Sequence, residues 1–324
     1  MSAWRVVVTG ATGFIGGAAL RALHRTPAGP DGRPVRITAL RRREAPGGAP
    51  GDRVEWVRAD LADPEGLAGV CEGADVLLHL ASYIGPDPLE GERINVLGGG
   101  ALMAEAVRAG VRRVVQLSTS AVYGPGPHHG IEVDGVPPAP VSAASRTRLA
   151  AEGAALAAGG LVLRPGLVVG AGDRWVVAAL AELTRRVPAR WGSGEARLSM
   201  VDVEDLGRLL AALACGPADP PTAVHHASHP EPVRAWDLMD RLRRHRVLPP
   251  VSEQWPWETC LEALRRSPGR IGERQFALLA TDHWYRSEEV WRAAGCAPGP
   301  GVLARLDGAA PWYREHLGSG GQPV

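Results

Sequence analysis

The first half of the chain alternates short apolar runs with Ala- and Leu-rich stretches of helical period. Strands are predicted at Arg5–Val8, Val35–Leu40, Val54–Arg58, Val76–Leu80, Val114–Leu117 and Leu161–Leu163. Helices are predicted at Gly16–His24, Pro64–Cys71 and Arg93–Ala109. The strands are continuous Val, Leu and Ile rather than alternating apolar and polar, so both faces of their sheet are covered. Such strands separated by helices predict an α/β protein with a parallel sheet. The stretch TPAGPDGRP (Thr26–Pro34) is a turn-rich joint between the first helix and the second strand.

After Gly170 the rhythm changes. Amphipathic helices are predicted at Trp175–Val187, Leu206–Ala214 and Ala235–Arg244, and seven of the ten tryptophans lie at or after Trp191. No internal repeat or low-complexity linker separates independent domains.

RVVVTGATGFIGG follows the first strand and opens the first helix. Gly10 lets the chain turn off the strand, Gly13 lets backbone approach a pyrophosphate, and Gly16 lets the helix pack closely on the sheet. The helix start then offers unpaired N–H groups and a partial positive charge to phosphates. Thr12, Phe14 and Ile15 complete this cofactor-binding turn. The expected fold is therefore a Rossmann-type doubly wound parallel sheet with a smaller, mostly helical C-terminal substrate lobe. Its expected division is a dinucleotide domain at 1–172 and a lobe at 173–317, with segments at about 197–228 returning to the core and a disordered tail at 318–324. The second strand runs into Arg41, Arg42 and Arg43, where an NAD site usually carries an acid for the ribose 2′-OH. Arg42, assisted by Arg41, suits the 2′-phosphate of NADP, and the other reading is a solvated basic cluster. NADPH is the expected cofactor.

With 324 residues the chain suffices for one large domain or two small ones. Its net charge of +1 argues against nucleic acid or anionic lipid as partner. Every basic side chain is Arg or His, with no lysine in the chain, and the Gly, Ala, Arg and Pro content suggests GC-rich coding DNA. Cys71, Cys215, Cys260 and Cys296 are far apart and read as free thiols in a reducing cytosol. No signal segment precedes the first strand, and no apolar run nears the roughly 20 residues of a membrane span. A cytoplasmic protein, monomer or homodimer, acting on a small molecule is expected.

TGATGFIG, RADLADPEGL, DVLLHLAS, INVLGGGALMAEAVRAGVRRVVQLSTSAVYG, LVLRPGLVVGAG and LSMVDVEDLGRLL resemble, in order, the blocks of the extended short-chain dehydrogenase/reductase family. That family includes sugar-nucleotide epimerases and dehydratases, 3β-hydroxysteroid dehydrogenases and dihydroflavonol-type reductases. The likeness runs from Arg5 to about Leu213, with a further C-terminal block beginning TDHWYRSEEVW. It implies that Asp60 and Leu61 meet the adenine and that His79, Leu80 and Ala81 pass the ribose and pyrophosphate, with Ser82 beside them. Asn95 would sit behind the active site, and Pro165, Gly166, Leu167 and Val168 would give backbone groups to the nicotinamide. For His79 and Asn95 a hydrogen-bonded core residue is the other reading.

The same resemblance implies a Ser or Thr followed by Tyr-x-x-x-Lys, and here the chain departs from it. The hydroxyl falls on Thr119, flanked by Ser118 and Ser120. LAAE fixes the frame of AASRTRLAAE, so the tyrosine position holds Ala144 and the lysine position Arg148. Ala144 transfers no proton, and Arg148 stays protonated. Arg148 holds the cofactor ribose or a substrate oxygen through its donors, or else faces solvent. Thr119 and Ser118 are the catalytic candidates. Tyr83, Ser120, Tyr123 and Trp175 are the substrate candidates, with Tyr123 either an acid or packed under the site. His128 and His129 lie in a Pro/Gly loop, GPGPHHGIEVDGVPPAP, that is either a lid or exposed coil. HHASHP (His225–Pro230) resembles a zinc cluster but fits a loop better, and no metal is expected.

Three functions are compatible with these residues. The first is NADPH-dependent reduction of an aromatic polyketide ketone of angucyclinone type in antibiotic biosynthesis, the proton coming from water or from the substrate's own phenol. Relatives lacking the tyrosine among actinomycete polyketide-tailoring reductases resemble this chain. The second is a nucleotide-sugar epimerase or dehydratase, which needs the missing base. The third is a non-catalytic NADP-binding protein.

Overall fold

The structure, a computed structural model, describes residues 3–43, 53–217 and 222–318. The strands are β1 Trp4–Thr9, β2 Val35–Arg41, β3 Val54–Arg58, β4 Val76–His79, β5 Arg113–Leu117, β6 His128–Ile131, β7 Leu161–Arg164, β8 Leu167–Val169, β9 Arg190–Trp191, β10 Arg197–Leu198, β11 Met200–Asp202, β12 Val224–His226, β13 Val233–Arg234, β14 Gln254–Trp255 and β15 His283–Tyr285. The helices are α1 Phe14–Arg25, α2 Pro88–Gly91, α3 Gly99–Arg108, α4 Ala143–Ala157, α5 Val176–Arg186, α6 Val203–Cys215, α7 Ala235–Arg244, α8 Trp257–Arg266, α9 Glu273–Ala280, α10 Glu288–Ala293 and α11 Val302–Gly318.

Seven strands form one parallel sheet in the order β12-β7-β5-β4-β1-β2-β3. This is the doubly wound order expected from the sequence. It reverses between β1 and β4, and ligands bind such sheets in the crevice outside the strand ends at that switch. One face packs on α1 and α6 through Val6, Leu23, Leu78, Leu206 and Leu210, the other on α3 and α4 through Leu77, Leu102, Met103 and Ala155. Fully burying one such leucine contributes about 1.5–3 kcal/mol. Helices α1 and α6 cross closely, since a Cβ on Gly207 would lie 2.7 Å from the Ala18 backbone.

The six predicted strands agree with the structure within one residue at each end. Two elements differ. Pro64–Cys71 forms only the single 3-10 turn Glu65–Leu67, because Gly66 and Gly69 make a continuous helix there costly, about 1 kcal/mol each. Val224–His226, at the start of HHASHP, is not a loop but the edge strand β12.

The lobe has its own core, with Leu180, Leu183, Leu238, Phe276, Leu306 and Tyr313 at its centre. A four-stranded sheet, β13-β10-β15-β6, draws in His128–Ile131 from the Pro/Gly loop. Residues His128–Ile131 of that loop are therefore strand, with His128 buried, and exposed His129 pairs with Asp282 at 3.0 Å. Gly318 closes α11, and the remainder of the expected tail, 319–324, lies outside the described residues. Among the described residues no helix is long and apolar enough to cross a membrane. All four cysteines are free, three of them buried.

Candidate active site

The crevice begins where β1 turns into α1. Gly10 has φ +67°, and a Cβ there would sit 2.7 Å from the Ala81 nitrogen, so any side chain would push away the Leu80–Ala81 segment that follows β4. A Cβ on Gly16 would strike the Gly10 carbonyl. The Gly13 N–H closes the turn on the Gly10 carbonyl at 2.8 Å. Helix α1 starts with no side-chain cap and no acid in its first turn. Its first N–H groups and its positive dipole end are thus left for an anion. Thr12 and Gly13 are beside it at the surface, and Phe14 and Ile15 are half-buried.

Thr9 Oγ1 accepts the N–H groups of Leu80 and Ala81, each at 3.0 Å, and lies 2.8 Å from His79 Nδ1. With two incoming bonds the hydroxyl donates to Nδ1, which puts the imidazole proton on Nε2. Burial, and then the charge of Arg148, press the His79 pKa down to about 4. His79 is therefore a neutral buttress. The Leu80 and Ala81 N–H groups are spent on Thr9, so these residues serve as a wall rather than as donors.

Asn95 lies on a π-helical turn, Glu92–Gly98, that leads into α3. Its Oδ1 accepts the Tyr83 N–H at 2.7 Å, and its Nδ2 donates to the Tyr83 carbonyl and to Thr147 Oγ1, both at 2.9 Å. It thereby pins the Ser82–Tyr83 loop to α4. Ser82 Oγ adds a contact at 3.3 Å, and the half-buried Tyr83 ring receives the Asp87 N–H on its hydroxyl at 3.4 Å. The same π turn presses Gly98 on the Leu61 carbonyl, and Asp60 closes its own turn by accepting the Ala62 N–H at 3.0 Å.

Past β5 the backbone makes a short turn, Ser120–Tyr123, capped by Thr119. Thr119 Oγ1 accepts the Ala121 N–H at 3.1 Å and is partly exposed. Its own proton has no acceptor among the described residues. Helix α4 opens with a reciprocal cap between Ser142 and Ser145. Ala144, Arg148 and Glu152 recur every fourth residue, so they share one face of α4. The Arg148 guanidinium donates to the carbonyls of Leu117, at 3.3 Å, and Ser118. Its Nε is buried without a partner. Burial lowers its pKa to about 10, opposed by Glu152, and it is still a cation at neutral pH.

The model of the NAD dependent epimerase/dehydratase family matches residues 6–223. The chain belongs to that family. It is 29% identical to a 2-alkyl-3-oxoalkanoate reductase of Stenotrophomonas maltophilia over 91% of this chain and 94% of the relative. It is 32% identical to a ceramide reductase of Caulobacter vibrioides over 65% of this chain and 61% of that one. Among solved structures, the epimerase Mth375 of Methanothermobacter thermautotrophicus superposes with a TM-score of 0.75 at 18% identity, covering 98% of this chain and 94% of that one. MoeE5 in complex with UDP-glucose and NAD gives 0.69 at 24% identity, covering 97% and 99%. These structures share the fold. Family and reductase relatives together support an oxidoreductase that uses a nicotinamide cofactor. The glycine turn and the orphaned Arg148 Nε fit such a group.

In this epimerase/dehydratase-family chain the geometry revises several sequence-based assignments. Ser118 is wholly buried, and its one hydroxyl proton goes to Glu152; it has none for a substrate. Glu152 is held by Arg164 through two bonds, at 3.0 and 2.5 Å. Arg164 also donates to the Tyr123 hydroxyl at 2.9 Å, and that hydroxyl meets His226 Nε2 at 2.7 Å. His226 Nδ1 faces the Arg286 carbonyl at 3.1 Å. A carbonyl only accepts, so Nδ1 carries the proton, and the single Tyr123 hydroxyl proton faces two acceptors, His226 Nε2 and the Val133 carbonyl at 3.1 Å. Tyr123 is 2% exposed, with burial raising its pKa. It packs under the site and is neither acid nor substrate contact. Ser120 is buried with its hydroxyl against Tyr285. Trp175 packs on the lobe core.

The backbone of Pro165, Gly166 and Leu167 is likewise less available than the resemblance implies. The Pro165 carbonyl accepts the Ser120 N–H at 2.9 Å, the Gly166 N–H goes to Ser228 Oγ at 2.9 Å, and the Leu167 N–H goes to the Ser199 carbonyl at 2.9 Å. Ser199 and Ser228 position that segment, and nothing in the sequence marks them. Glu152 was detectable by its four-residue spacing from Arg148. Arg41 and Arg42 reach the surface at the end of β2. Among the described residues no cluster of His, Cys, Asp and Glu could hold a metal.

Proposed function

We propose that this chain is an NADPH-dependent ketoreductase that works without a catalytic tyrosine. The observation that carries this is the Thr119 hydroxyl, whose acceptor side is filled by Ala121 and whose proton is free. A bound nicotinamide dinucleotide supplies the hydride. The protein's part is to hold the ketone and to stabilise charge developing on its oxygen. Thr119 donates to that oxygen. Arg148 fixes the turn through the Leu117 and Ser118 carbonyls and keeps a spare donor, Nε, for the ribose or a substrate oxygen. Arg41 and Arg42 receive the 2′-phosphate.

No side chain at Ala144 supplies the product's proton. A ketone beside a phenolic hydroxyl carries its own donor and an internal hydrogen bond that already polarises the carbonyl. This favours an aromatic polyketide ketone, of angucyclinone type, as substrate, within antibiotic biosynthesis. Two further facts support a bulky apolar substrate. Ile84 and Leu89, 73% and 78% exposed, flank the Tyr83 loop, and α2, which carries Leu89, packs on α4. Relatives named as reductases act on oxoalkanoate and ceramide, and a Stigmatella aurantiaca relative, 31% identical over 59% of this chain, is named a farnesyl-quinoline-oxide ketoreductase.

The test is NADPH consumption, followed by nicotinamide absorbance, with a panel of hydroxylated aromatic ketones. Turnover with product alcohol is expected. Tight NADPH binding with no turnover on any ketone would leave the non-catalytic reading. Turnover of a nucleotide sugar in its place would leave the epimerase one.

A further inference from the structure

Arg58 ends β3 directly opposite Arg41, which ends β2. Paired residues of a parallel ladder point to the same face, on strands about 4.8 Å apart. Ile37 and Val54, then Ala39 and Trp56, precede them in register on the face that packs against α1. Arg41 and Arg58 therefore leave the sheet side by side, on the face from which α1 runs up to the glycine turn. Arg42 follows Arg41, and both Arg42 and Arg58 are exposed. Among the described residues none of the three side chains has a carboxylate, hydrogen-bond or aromatic partner, and the nearby Asp60 accepts the Ala62 N–H. Elsewhere most guanidinium groups are paired, as in Arg21–Glu204, Arg33–Asp75, Arg108–Glu105 and Arg241–Asp307.

We propose that Arg58 is a third reader of the 2′-phosphate of NADP, acting with Arg41 and Arg42, an inference that rests on the NADPH reading above. Three cations on adjacent strand ends, without partners among the described residues, repel one another. A phosphate dianion with three acceptor oxygens relieves that repulsion and suits planar guanidinium forks. The neutral 2′-OH of NAD leaves the repulsion in place, so the cluster discriminates as well as binds. The competing role for an exposed charge on an edge strand is to block sheet-to-sheet pairing, which predicts no nucleotide effect.

The experiment titrates the full chain with 2′,5′-ADP and with 5′-ADP by calorimetry, so ketone turnover plays no part. The wild type binds 2′,5′-ADP more tightly. Arg58→Ala and Arg58→Gln weaken 2′,5′-ADP by about tenfold, the size of one charge-assisted hydrogen bond. They leave 5′-ADP unchanged, and Arg58→Lys recovers part of the loss. Salt dependence of 2′,5′-ADP binding becomes shallower in the Ala variant. Unchanged 2′,5′-ADP binding in Arg58→Ala, or equal loss of both nucleotides, overturns the role of Arg58 while leaving the NADPH reading intact. A wild type with no preference between the two nucleotides overturns both.

Discussion

Thr119 Oγ1 accepts the Ala121 N–H at 3.1 Å and so keeps its own proton, whereas its neighbour Ser118 gives its proton to Glu152. Two adjacent hydroxyls of similar chemistry thus have different uses. One is partly exposed with no acceptor for its proton among the described residues, and the other is buried and bound to Glu152.

Replacing Thr119 with Val should lower kcat/KM for the ketone by about a hundred- to a thousandfold, the cost of losing one donor to a developing oxyanion, about 2.7–4 kcal/mol. Thr119→Ser should keep most of the activity. Steady-state kinetics on both variants, with thermal melts as a control, check this. Ser118→Ala should show the reverse pattern, with a lower melting temperature and near-normal turnover.

The Glu152–Arg164 pair is almost fully buried, at 4% and 6% exposure. Glu152→Gln removes the carboxylate's charge and leaves the Arg164 cation uncompensated. A loss of about 3–5 kcal/mol in unfolding free energy is expected, measured by denaturant titration. A loss below about 1 kcal/mol would mean that solvent reaches the pair.

Four buried histidines set an acid limit. His79 and His226 are pressed down to about 4 by burial, and His128 and His283 are also lowered, again chiefly by burial. The unfolded chain protonates its imidazoles near pH ~6.5, while the folded chain resists to about 4 at His79 and His226. Between those values the unfolded state binds more protons, so stability falls as pH falls. The contribution is complete above about pH 6.5 and lost through the window down to about 4. Melting temperatures across that range should decline on acidification, with a shallower slope in His226→Gln. A flat profile would show that these imidazoles reach water.

Ser228 carries the Gly166 N–H from a segment distant in sequence. Ser228→Ala leaves that N–H unsatisfied, at a cost of about 1–3 kcal/mol. The backbone of Pro165, Gly166 and Leu167 should loosen, raising the KM for the cofactor more than the KM for the ketone. Equal changes in both would argue for a general loss of packing.

Much of the fold was legible because long apolar strands and a glycine turn are local signals. β12 was not, since three residues containing two histidines carry no strand pattern, and its partner β7 lies far earlier in the chain. The cofactor turn and the missing Tyr-x-x-x-Lys pair were legible in frame. The uses of Ser118, Tyr123 and Gly166 were not. Each is decided by a partner, Glu152, His226 or Ser228, that only the folded chain brings within hydrogen-bond reach.

The central claim is that the substrate supplies the proton that Ala144 cannot. It is tested most directly by comparing turnover of an aromatic ketone bearing a free neighbouring hydroxyl with turnover of its methyl ether. The account predicts a loss of at least about a hundredfold for the ether, the lower range for general acid catalysis, with binding of the two compounds alike. Equal turnover of the pair would contradict it.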